Sequence, residues 1–195
     1  MAILSSQPPS ILIKTRWRNK KSGHTLEERA GVIGANIWKI ALTISKHLEN
    51  DGFKFGSDRQ VTMVFTEMIV FLVQMTDRLV YGTLSDTDRA TLINALASHL
   101  AVTVENNQLD LLGPGEYKAE FINTLNQRSQ EYAGFDYTEA GPGYACLRYF
   151  AALVADAMAG NKWVVEQMIE VETPAMMTAL KKLVAGAVGT NSSSH

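Results

Sequence analysis

VFTEMIVFLVQMTDRL, residues 64–79, is the stretch whose reading decides the fold. Laid out at about 100° per residue, Met63, Val64, Phe65, Met68, Ile69, Val70, Phe71, Leu72, Val73, Met75 and Leu79 cover most of a helix circumference, so the segment calls for apolar neighbours on several sides. It predicts the central helix of a bundle, over about 58–82. The polar residues Gln60, Glu67, Gln74 and Arg78 fall within about 40° of one another and form one narrow stripe. Gln74 and Arg78 lie four apart and can touch, whereas Glu67 needs a partner from another helix. Between Glu67 and Gln74 only MIVFLV is uninterrupted, far short of the roughly 18–20 apolar residues that a bilayer requires.

Outward from this segment, every clear period is helical. From Thr25 to about Asn50, Leu26, Ala30, Ile33, Ile37, Ala41, Ile44 and Leu48 recur at three and four residues, and Thr25 with Glu28 forms a capping box. The glycines of NDGFKFGS break the pattern, and Ser57 or Asp58 can cap the central helix, which Gly82 stops. A third helix begins at Ser85 with Asp86 and Asp88 in its first turn and frays near ENNQ. GPGEY at 113–117 and GPGYA at 141–145 precede the fourth and fifth helices, a similarity of turn chemistry and not a repeat. A sixth around KWVVEQMIEVE should end before Pro174, which opens a seventh. No strand pattern of comparable length occurs, so the expected fold is an all-α bundle of six or seven helices: one domain over 25–188, a basic arm over 1–24 and a disordered tail over 189–195.

Three explanations compete for the polar stripe. It is a solvent-exposed seam on a mostly buried helix, a register-fixing subunit interface, or a pocket in which a desolvated Glu67 gains a pKa useful for proton transfer. The fifth helix poses a similar question. Its apolar face, with Phe150, Ala151 and Val154, carries Asp156, and a buried carboxylate wants a cation such as Arg78 or Arg148. Glu67, Arg78 and Asp156 are therefore the catalytic candidates.

Composition narrows the chemistry. The 195 residues carry a net charge of −2, which gives no global attraction to nucleic acid or membrane. The lone Cys146 has no partner in the chain and reads as a small buried side chain in a reducing compartment. The N-terminus lacks the order of a signal peptide, which makes the expected location cytoplasmic. His24, His47 and His99 have no second histidine three or four residues away, and the pairs Glu116/Glu120 and Glu166/Glu170 read as solvated, so no metal site is expected. Neither a Walker loop, a dinucleotide fingerprint nor a nucleophile elbow is present, and no cofactor is expected.

Two stretches suit binding. GFDYTEAGPGY, residues 134–144, places Phe135, Asp136, Tyr137, Glu139 and Tyr144 in one connection, a composition that serves either as a recognition loop or as a packed cover over a helix end; with Gln74 these are the ligand-binding candidates. KTRWRNKK interleaves Trp17 with Arg16, Arg18, Lys20 and Lys21, a weak phosphate-and-stacking signal that leaves nucleic acid an unfavoured partner. The expected function is a non-enzymatic helical binding or regulatory protein acting as a homodimer, with a protein or small-molecule ligand. The alternative is a small-molecule enzyme with a carboxylate/arginine pocket between the central helices, and third a nucleic-acid-binding role through the arm.

Overall fold

A computed structural model describes residues 24–189. The basic arm, with Arg16, Trp17, Arg18, Lys20 and Lys21, and the tail beyond Gly189 lie outside the described residues. The helices are α1 (Leu26–Asn50), α2 (Asp58–Val80), α3 (Asp86–Leu112), α4 (Tyr117–Tyr132), α5 (Tyr144–Ala157), α6 (Trp163–Gln167) and α7 (Thr173–Val188). A two-stranded hairpin, β1 (Tyr137–Thr138) and β2 (Gly141–Pro142), sits between α4 and α5. The fold is all-α, as the periodicity predicts.

Helix starts follow the local chemistry. Thr25 Oγ1 accepts from the Glu28 amide while Glu28 reaches back to the Thr25 amide, closing the capping box. Ser57 and Ser85 cap α2 and α3 by accepting from the Gln60 and Asp88 amides. The third helix does not fray at ENNQ but continues to Leu112 and stops at Gly113, whose φ of +84° suits a residue without a Cβ.

The central position of α2 is borne out: it packs against α1, α3, α4, α5 and α7. Met68, Ile69, Val70, Phe71 and Leu72 have no solvent exposure, and Phe71 stacks on Phe150 of α5 with ring centroids 4.1 Å apart. The α1–α3 pair is held close at Gly34, where a Cβ would come within 2.6 Å of the His99 ring.

The expected break before Pro174 is absent. A π-helical turn, Met168–Glu172, joins α6 directly to α7, and Thr173 keeps helical angles of φ −66° and ψ −41° although a proline follows it. Proline lacks the amide and crowds the carbonyl four residues back; the wider i→i+5 turn relieves both conflicts, so the chain continues where an α-helix would kink.

Candidate functional site

The polar stripe of α2 is covered from within the chain, by α4. Both carboxylate oxygens of Glu67 accept from Arg128, at 2.7 Å from Nη2 and 3.0 Å from Nε, and the two side chains are only 11% and 16% exposed. Gln74 donates to Ser129 Oγ one helical residue further on, and Arg78 donates to the Tyr132 carbonyl at 3.4 Å, at the negative end of the α4 dipole. Three residues of one helix face thus meet three of another. Glu67 is therefore buried and not part of an exposed seam, and Gln74 and Arg78 each reach α4 instead of one another.

A second layer extends the seam to α5. Arg128 Nη1 donates to Glu131 at 2.8 Å, and the Tyr149 hydroxyl donates to the same carboxylate oxygen. Burial alone would raise the Glu131 carboxyl, but hydrogen bonds from Tyr149, Arg128 and Gln127 outweigh it and bring it down to about 2. Burial and the bond to Glu131 together push the Tyr149 phenol up to about 12. The bonds that Arg128 donates to Glu67 hold its guanidinium firmly charged, against the desolvation that opposes them. Arg128 thus holds Glu67 bidentately while also bonding Glu131 and Tyr149, which ties α2, α4 and α5 together.

Asp156 departs from expectation. It is exposed on α5, not buried against Arg78 or Arg148, because the inward face of that helix is occupied by Cys146, Phe150, Ala151, Val154 and Ala155. It does share a cleft of about 320 Å³ with Glu67, Arg59, Glu120 and Arg128, while Arg78 lines a different one with Asp77 and Arg89. The catalytic candidates are therefore divided between two clefts.

The 134–144 connection is tied down. Phe135 packs against Tyr132 and Tyr149 at centroid distances of 6.3 and 5.2 Å, and the Asp136 carbonyl accepts from the Gly143 amide at 2.9 Å. Lys181 of α7 donates to the Ala140 carbonyl. Tyr137 is half-buried, which raises its phenol, while the Asp136, Glu139 and Tyr144 side chains face solvent.

Cys146 is buried and its thiol is pushed up to about 11, so it is not a thiolate at neutral pH. Glu116, Glu120, Glu166 and Glu170 are all exposed. Among the described residues no group of three or more His, Cys, Asp or Glu is placed to hold a metal ion. The buried Glu172, in the π turn, instead accepts from Gln167 at 3.0 Å and lies 3.5 Å from His47 Nδ1.

Periodicity also missed a partly apolar groove. A groove of about 460 Å³ opens between α1, α2 and α3, lined by Trp38, Phe55, Val61, Phe65 and Val104, with Leu42 and Leu111 at its exposed mouth. The Trp38 and Phe65 rings meet at 5.4 Å. Ser45, 7% exposed, lines the same groove, and among the described residues nothing bonds to its hydroxyl. An unpaired buried hydroxyl costs about 1–3 kcal/mol. The sequence signal was the spacing Trp38, Leu42, Ser45 along one edge of α1, three and four residues apart, beside its main stripe. No family model, curated protein or solved structure matches this chain.

Proposed function

We propose that this chain is a non-enzymatic binding protein of the cytoplasm whose ligand is a small molecule received by the α1–α2–α3 groove. The observation that carries the reading is the groove itself: its volume of about 460 Å³ lies within the range of about 300–1,000 Å³ common to ligand sites, and it sets the aromatic rings of Trp38, Phe55 and Phe65 beside polar side chains such as Thr62, Thr66 and Gln108. The polar groups offered for catalysis point away from an enzymatic role, since Glu67 and Arg128 are committed to each other. A homodimer built on the α2 stripe is not carried into this proposal, because α4 of the same chain occupies that stripe.

An enzymatic reading has one observation in its favour, the shared cleft of Glu67 and Asp156. The two are separated by incubating the full chain with a complex small-molecule extract, isolating the protein by gel filtration and identifying what it carries by mass spectrometry. The binding reading expects a compound in near-stoichiometric amount, chemically unchanged from its form in the extract. Retention of nothing, or of a product absent from the starting extract, overturns it.

A further inference from the structure

We propose that the groove between α1 and α7 is the seat of this chain's own N-terminal arm, through the aliphatic residues Ile11, Leu12 and Ile13. It lies apart from the α1–α2–α3 groove assigned to a small molecule, and its occupant does not depend on that assignment.

The groove, of about 510 Å³, runs between Val32 and Asn36 of α1 and Ala179, Leu183, Gly186 and Ala187 of α7. These α7 residues are small or aliphatic, and a Cβ added at Gly186 would meet nothing within 4 Å. Apolar surface of this kind gains about 25 cal/mol for each Å² that a partner removes from water. His24, the first described residue, lines the same groove. Arg29 holds that end in place: its Nε donates to the His24 carbonyl at 3.1 Å and its Nη1 to the Val188 carbonyl at 3.2 Å. The arm therefore joins the bundle at the groove.

Reach and composition pick the occupant. Ile13 stands eleven residues before His24, a connection that spans up to about 36–40 Å, while Arg29 to Asn36 covers only about 10 Å of α1. The segment after Gly189, TNSSSH, offers only polar side chains. Within the arm, the basic run over 14–21 is a poor occupant, because Arg29 and Lys182 already place positive charge around the groove. Residues 1–13 have no charged side chain, and Ile11, Leu12 and Ile13 are their apolar patch nearest to His24 along the chain. Residues 1–4 would close a longer loop, at a further entropic cost. With Ile11, Leu12 and Ile13 seated, the basic run passes the start of α1, where the exposed Glu27 supplies a countercharge.

The test is limited trypsin digestion of the full chain, with the fragments followed by mass spectrometry. Gly186→Phe fills the groove from a position that faces open space, and should speed cleavage after Lys14 at least about fivefold, since cutting follows the population of undocked arm. Changing Ile11, Leu12 and Ile13 together to Ser should speed cleavage after Arg16 at least about fivefold, and adding Gly186→Phe to that variant should change it less than about twofold. Leu111→Asp, at the exposed mouth of the α1–α2–α3 groove, should leave both rates as they are. Circular dichroism verifies that each variant remains helical, and the arm variant, which touches none of the described residues, reads docking even where Gly186→Phe unfolds the bundle. Digestion of the wild type as fast as the variants overturns the proposal. Faster cleavage in Leu111→Asp assigns the arm to the other groove and overturns it too. Protection that is lost on dilution assigns the groove to the arm of a second copy, with the same result.

Discussion

The α2–α4 seam and the α1–α2–α3 groove both run along the central helix, yet they settle their polar groups in opposite ways. Along the seam, Glu67, Gln74 and Arg78 each meet a partner on α4, and Arg128 spreads the contact to Glu131 and Tyr149 of α5. The groove instead brings Trp38, Phe55 and Phe65 together with Thr62, Thr66 and Gln108, and the Ser45 hydroxyl, shut off from solvent, has no bond among the described residues. The contrast teaches that abundant charge on a buried helix marks self-recognition here, whereas the groove exposes mainly apolar side chains. Polar groups that satisfy each other have little left to offer a ligand.

The largest expected effect would break the seam. Arg128→Met leaves the Glu67 carboxylate nearly buried without its cation and should cost about 3 kcal/mol in urea unfolding, while the double change with Glu67→Leu should restore most of it, since an apolar pair replaces both charges. A double variant as unstable as the single would mean that the seam holds by its charges and not by shape.

Acid is a gentler probe of the same region. With the Glu131 carboxyl lowered from 4.5 to about 2 in the folded state, its contribution to stability is fully present above about pH 4.5 and is lost as pH falls towards 2. A series of urea midpoints from pH 6 to 2 should therefore decline in that window, and Glu131→Gln should flatten part of the decline. Unchanged curves for the variant would assign the acid sensitivity to other carboxylates.

The smallest effect sharpens the comparison from the seam's own side. The Tyr132 hydroxyl is buried with no bond among the described residues, and burial raises its pKa well above the usual phenol range. Tyr132→Phe should leave stability unchanged or raise it by up to about 1 kcal/mol, because the ring contacts with Phe71 and Tyr149 persist while an unpaired polar group is removed. A loss of more than about 1 kcal/mol in thermal unfolding would show that the hydroxyl is bonded after all.

Much of the architecture was legible from the residues. The circumference of apolar side chains around Phe71 required a central helix, and Thr25, Ser57 and Ser85 announced three helix starts, because caps and periodicity are local physics. The wheel also found the stripe at Glu67, Gln74 and Arg78, but a wheel gives the face of one helix and not what covers it. Arg128 is sixty-one residues away from Glu67, and nothing local distinguishes it from a solvated arginine of α4. Asp156 was misread for a related reason: its neighbours Ala155 and Ala157 are buried, and sequence proximity to apolar residues does not fix which way the residue between them faces. The groove, assembled from α1, α2 and α3, has no local signature beyond the spacing of Trp38, Leu42 and Ser45.

The wide turn at Met168–Glu172 has a geometric consequence for the far end of the chain. Inward-facing residues Val164, Met168, Glu172, Met176, Leu180, Val184 and Val188 follow one another at intervals of four, slightly longer than the 3.6 of an α-helix, so an unbroken α-helix would carry its apolar edge steadily around the axis and out of the bundle. Five residues of looser winding turn it back. The π segment thus serves as a phase correction, and without it Ala179, one residue earlier, would stand where Leu180 now meets the interior.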